Sequence, residues 1–214
     1  MGIATKIDDL ELAALISSKI CHDVIGPVGA ISLGLEVLDD QSDERSREHS
    51  LEAIRAYTRQ ASAKLQFARF AFGASGSAGA TIDLRNAEQI SRGFIATGKH
   101  TLTWTAPAGV LSKDRAKLLL NMIASAQGAL PRGGEIAVSV KGSLERPRFE
   151  VRCKGPSARP PQALVDTIAA GEAAMLDALT IQAYYTCRLA RTGDMRLQAG
   201  LDGPDVLILA EARN

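Results

Sequence analysis

The chemistry in this sequence is concentrated in one short stretch, Cys21-His22-Asp23-Val24-Ile25-Gly26-Pro27. A neutral imidazole is a nucleophile, and an ordinary histidine pKa of about 6.5 leaves the ring mostly neutral at pH 7. A carboxylate on the next residue can hold one ring nitrogen and leave the other free to attack. Pro27, five residues after the histidine, removes a helix hydrogen bond and permits a bend just beyond the nucleophile. Ser18, Lys19, Ile25 and Gly26 are the helical neighbours of His22, with Gly29 two turns on. Small residues there let another protein's surface approach closely. Leu15, Ile25 and Leu33 lie on roughly the same face and form an apolar docking patch.

Such a histidine is useful only if a helix presents it away from the core. Ala13, Ile16, Ile20, Val24, Pro27, Ile31, Leu35 and Leu38 recur in steps of three and four, which is one helical stripe. At about 100° per residue His22 points nearly opposite the midpoint of Ile20 and Val24. A core histidine would lie on the stripe. Asp8 or Asp9 can cap this helix, with Glu11 in its first turn. Asp39 to Asp43 is a polar break, and Ser42 is the expected cap of a second helix. Leu51, Ile54, Tyr57, Ala61, Leu65, Ala68 and Phe72 give the second stripe. Each helix is on the order of 40 Å long at about 1.5 Å per residue. A lone hairpin of that length leaves apolar stripe uncovered, so pairing of two hairpins as a four-helix bundle predicts a homodimer.

Gly73 to Gly79 reads as a small-residue linker. Beyond it, Leu84 to Thr97 reads as helix and Thr101 to Thr105 as strand. Ser112 is placed to cap a helix running through Leu130, followed by a turn at Pro131-Arg132-Gly133-Gly134. Residues 135–141 and 148–154 read as neighbouring strands. Residues 161–192 hold one or two helices, and 194–199 and 206–210 are final strands. The expected fold is α+β: a helical hairpin forming a dimeric four-helix bundle over residues 1–75, then an α/β sandwich over 80–214 with helices on one sheet face.

Composition narrows the function. Hydrophobic residues are 46%, charged residues 23% and the net charge +1, which gives no reason to expect nucleic acid or a membrane surface as partner. Aromatics are 4%, too few for stacking on bases. No apolar run approaches the roughly 20 residues that span a bilayer, and Met1 to Asp9 lacks a signal-peptide stretch. Cys21, Cys153 and Cys187 are odd in number and far apart, as expected of reduced thiols in a cytoplasmic protein. Cys21 is expected buried or half-buried beside the stripe, and His49 and His100 are expected at the surface. Cys21 and His22 point about 100° apart on a helix and have no second ligand pair, so no metal site is expected.

A histidine on a helix, followed by an acid and, five residues after the histidine, by proline, resembles the phosphoacceptor box of histidine kinases. The order of hairpin, linker and α/β unit resembles the kinase core as a whole. The stretch LAALISSKICHDVIGPVGAISLGLEVLDD is similar to the first helix of the ChpT-type histidine phosphotransferases, which keep both parts with a degenerate second domain. That resemblance implies His22 as phosphoacceptor; by residue type and position, Asp23 can orient its ring and Lys19 can meet phosphoryl oxygens. It implies a phosphorelay between receiver-domain aspartates, with a hybrid kinase upstream and response regulators of cell-cycle control downstream. Mg²⁺ is then carried by the receiver and not by this chain.

The second unit separates transferase from kinase. Residues 118–130 resemble the kinase helix with two asparagines four apart, the second holding Mg²⁺. Asn121 is present, but Ser125 stands where the second would be. Residues 151–157 resemble the adenine motif, an Asp, then Gly, then Gly at alternate positions. Cys153 replaces the Asp, Gly155 remains, and Ser157 replaces the second Gly. Residues 173–183, in the place of the glycine-rich lid, contain no glycine, so no chain of backbone amides is evident to cradle phosphates. Three losses together predict that ATP is not bound. The alternatives are a non-catalytic dimeric scaffold for a regulator, an active kinase with an unusual pocket, and, plainest, a surface histidine beside a kink.

Overall fold

An acid precedes each of the first two helices and fixes where it starts. The computed structural model describes residues 7–40, 43–73, 80–171, 176–178 and 180–213. Helix α1 (Asp9–Asp40) starts behind Asp8, whose carboxylate accepts from the Glu11 amide at 2.7 Å. Helix α2 (Glu44–Phe72) starts behind Asp43, which accepts from the Ser46 amide at 3.0 Å. That hydrogen bond holds the Asp43 carboxyl below its ordinary pKa. Ser42, the expected cap, lies outside the described residues, and Asp43 caps α2.

The two helices run antiparallel. Arg47 donates to the Leu38 carbonyl, and Lys64 donates to that of Asp23. Gly34 allows the close approach between them, since a Cβ there would stand 2.8 Å from Ile54 Cγ1. The seam takes up Ile20, Val24, Pro27, Ile31 and Leu38 as expected, but Ile16 packs against the cluster of Leu12, Ile181 and Tyr184, and Ala13 and Leu35 are exposed. Leu35 belongs to a second apolar flank with Leu10 and Val28 of α1. On α2, Leu51 and Leu65 are exposed in the same way. Cys21 is exposed, neither buried nor half-buried. Seam and flank together make α1 long and apolar enough to cross a membrane by length and composition, contrary to the expectation that no apolar stretch approaches that length. Lys19, His22 and Asp23 lie in the middle of that helix.

The rest of the chain forms β1 (Thr81–Asp83), α3 (Leu84–Ile95), β2 (His100–Thr105), β3 (Val110–Ser112), α4 (Lys113–Ala129), β4 (Gly134–Ser143), β5 (Arg146–Lys154), α5 (Gln162–Ala170), α6 (Ile181–Thr192), β6 (Met195–Asp202) and β7 (Asp205–Ala212). The main sheet has the order β2-β4-β5-β7-β6, with β2 and β4 parallel and the other pairs antiparallel. Strands β1 and β3 pair separately and are absent from the sequence reading, because three residues are too few to show a period. Ile136, Val138, Phe149, Val151, Val206 and Ile208 alternate onto the helix-covered face. The turn 131–134 needs its glycines: at Gly133 and Gly134 φ is +85° and +142°, and a Cβ would strike the Lys99 and Lys154 carbonyls.

Helix α4 is buried almost all round, including the run Ala116 to Ile123, since it lies between the sheet and the other helices. Ser112 occupies its N-cap position without a side-chain capping bond, and the Lys113 amide donates instead to the Ala80 carbonyl at 3.0 Å. His100 is half-buried, its Nε2 3.0 Å from the Leu130 carbonyl, and is not a surface residue. The α/β unit packs directly on the hairpin. Phe67 stacks on Phe94 at 3.9 Å, within a cluster of Phe67, Ala71, Ile90 and Leu120. Ile7 and Leu12 join Ile181 and Tyr184 in another cluster.

Candidate functional site

His22 projects from the middle of α1 with 67% of its side chain exposed. Its position off the seam follows from the helical period, because its neighbours on the seam, Ile20 and Val24, are drawn towards α2. The Nδ1 atom lies 3.5 Å from Asp23 Oδ1, an electrostatic contact at the long edge of hydrogen-bond reach. Nε2 is thereby the nitrogen turned away from the carboxylate. Asp23 has a second partner: Lys19, one turn earlier, forms an ion pair with its other oxygen. Lys19 is therefore half-buried and turned towards Asp23, not outwards to an incoming anion.

The remaining residues of the expected docking face divide. Ser18, Gly26 and Gly29 are exposed, and nothing lies within 4 Å of where a Cβ at either glycine would sit. Ile25 and Leu33 are 71% and 61% exposed. Leu15 is not on this open surface. It is half-buried against the cluster of Ile181 and Tyr184, because the α/β unit covers that side of α1.

Sequence reasoning missed Lys64. Its Nζ donates to the Asp23 carbonyl at 3.0 Å from the facing helix. Lys19, Asp23 and Lys64, with Phe67, Phe94 and Gln127, line a cavity of about 120 Å³ between the hairpin and the α/β unit. The signal that points to this contact is Pro27, four residues after Asp23. Which group meets the stranded carbonyl depends on the register of α2 against α1.

The residues compared with a nucleotide site have other partners. Asn121 is fully buried, and its amide donates to the Ala71 carbonyl at 3.0 Å and to that of Lys117 at 2.9 Å. Ser125 Oγ donates back to the Asn121 carbonyl at 2.9 Å. Cys153 faces the core, and burial pushes its thiol up to about 12. Gly155 packs on the turn, where a Cβ would meet the Gly133 carbonyl at 2.7 Å. Ser157 keeps a left-handed φ of +63°, a conformation that favours glycine. The glycine-free segment 173–183 lies in part outside the described residues. Beside Ser125 a groove of about 320 Å³ runs between α4, α5 and α6, and no charged side chain lines it among the described residues. Asn121 and Ser125 are thus engaged with main-chain carbonyls, and Cys153 is turned into the core.

The family model for the histidine phosphotransferase C-terminal domain matches residues 84–205. The chain is 40% identical over 212 residues to the protein phosphotransferase ChpT of Brucella abortus (strain 2308), covering 99% of this chain and 100% of that one. It also superposes on the 1.7 Å structure of a bacterial phosphotransferase with a TM-score of 0.88 at 38% identity, over 98% of this chain and 100% of the other.

Proposed function

The chain belongs to the ChpT-type histidine phosphotransferases, and from that membership we propose that phosphoryl groups pass through His22. It is a phosphotransferase of two-component phosphorelays, and receiver-type proteins are its partners. The observation that carries the assignment to His22 is the pairing of an exposed imidazole with a carboxylate 3.5 Å from one nitrogen only.

A donor receiver docks on the open face around Ser18, Ile25, Gly26, Gly29 and Leu33. His22 Nε2 attacks the phosphorus of its aspartyl phosphate. The N–P bond forms as the P–O bond to the aspartate breaks, and the carboxylate leaves as an anion. The ring, still protonated at Nδ1, becomes positive, and Asp23 faces that developing charge. The aspartate of a second receiver then takes the group by the reverse reaction. Mg²⁺ belongs to the receiver's acidic pocket and ATP takes no part. The partners of Asn121, the burial of Cys153 and the uncharged groove beside Ser125 support that reading.

The chain works as a cytoplasmic homodimer between a hybrid kinase and response regulators of the cell cycle. Support for the dimer comes from the exposed flank of Leu10, Val28, Leu35, Leu51 and Leu65, apolar surface that a second hairpin would cover. Residues 1–75 then act as the dimerising and phosphoaccepting unit, and 80–214 supply further receiver contacts. The test is phosphotransfer from labelled receivers to wild type and His22→Ala. Wild type takes up acid-labile label and His22→Ala takes up none. Label of that kind persisting in His22→Ala excludes the assignment.

A further inference from the structure

Pro27 strands a main-chain acceptor next to His22, and the second helix supplies its donor. In an α-helix the carbonyl of one residue bonds the amide four positions later. For Asp23 that position is Pro27, which has no amide hydrogen. The Asp23 carbonyl lies on the partly buried side of α1, and Lys64 Nζ from α2 reaches it at 3.0 Å. The other α2 side chains lining the adjoining cavity are Phe67, Ala68 and Phe72, which have no donor. Asp23 is thus held at both ends. Lys64 binds its carbonyl, Lys19 pairs with one carboxylate oxygen, and the other oxygen faces His22 Nδ1.

We propose that Lys64 is a positioning residue for phosphotransfer: it replaces the hydrogen bond lost at Pro27, fixes the Asp23 backbone across the bend, and so keeps the carboxylate on His22. A donor carrying full charge suits this place, since charge-assisted hydrogen bonds are about twice as strong as neutral ones. The ammonium is compact and sits on a flexible stem, so it can reach a single carbonyl across the hairpin seam. The inference rests on His22 being the phosphoacceptor.

The test uses the full chain and potassium phosphoramidate as phosphoryl donor, with the His22 N–P signal followed by phosphorus NMR and His22→Ala as blank. Lys64→Met slows labelling of His22 about tenfold, part of the roughly hundredfold that a misplacement near 1 Å can cost. Lys64→Arg, which keeps the charged donor, restores most of the rate. Pro27→Ala returns an amide hydrogen to position 27, so adding Lys64→Met to Pro27→Ala produces no further loss. That cancellation is not expected of a lysine serving only general stability. Should Lys64→Met fail to give the wild-type circular dichroism spectrum, Lys64→Gln shows a smaller loss, cancelled in the same way. Equal rates for wild type and Lys64→Met overturn the proposal, as does a loss undiminished in the Pro27→Ala background. Folded wild type taking no label at His22 overturns the reading of His22 and this proposal with it, an outcome distinct from labelled wild type with a silent Lys64→Met.

Discussion

Asn121→Ala separates a structural tie from a remnant metal ligand. Asn121 is fully buried, and its amide reaches the Ala71 carbonyl at 3.0 Å. Ala71 is buried in the last turn of α2, which ends at Phe72, so no helical amide follows to satisfy that carbonyl. The second bond, to the Lys117 carbonyl, matters less because that oxygen already accepts within α4. Removing the amide strands one buried carbonyl, at a cost of about 1–3 kcal/mol. For a chain of this size, 2 kcal/mol corresponds to a fall of about 4–8 °C in Tm. Asn121→Asp is worse: it places an acceptor-only carboxylate against two carbonyls, a buried unpaired charge worth about 3–5 kcal/mol. Scanning calorimetry with and without Mg-ATP checks both. The expected result is a lowered Tm for each variant and no nucleotide-dependent shift in any protein, where a ligand at 100 times its Kd would add about 2.7 kcal/mol. An unchanged Tm in Asn121→Ala, together with an Mg-ATP shift in wild type that the variant loses, would refute the reasoning and make Asn121 a ligand.

Leu65→Asp and Leu35→Asp each place a charge on the exposed flank, and light scattering should show the proposed dimer weakened towards monomer; a monomeric wild type would remove the bundle. Alkylation of the native chain should modify Cys21 first, because Cys153 and Cys187 are buried and burial pushes their thiols up to about 12 and about 11; mass spectrometry of early time points checks the order. Glu150 is held below its ordinary pKa of 4.5, chiefly by Lys141 and then by Arg148. The stability this contributes is present above the unfolded pKa and is lost as pH falls through the folded one. Glu150→Gln should therefore be less stable than wild type at pH 7, with the difference shrinking below about pH 4.5, as read from urea melts across pH.

Local pattern was enough for much of this molecule. The 3.6-residue period places His22 off the seam, the polar breaks put the helix starts within a residue or so (Asp8 or Asp9 for α1, Ser42 where Asp43 caps α2), and period-two runs mark the main strands. These features depend on residues within a few positions of one another, so one strand of sequence contains them. The proline four residues after Asp23 likewise declares a missing hydrogen bond without showing what replaces it. What only the tertiary structure decided are contacts between residues far apart in the chain. Leu15 turns from docking patch to half-buried contact because α6 packs against α1, and Lys19 turns inwards because Asp23 takes its charge. Asn121 becomes a tie to α2 because folding brings Ala71, 50 positions away, within hydrogen-bond distance. Lys64 meets the carbonyl of Asp23, 41 positions away, through the antiparallel register of the hairpin. Periodicity reports which face of a helix is apolar; which distant polar group a buried donor or acceptor meets is set by how the elements pack, because each such group must find its partner inside the fold.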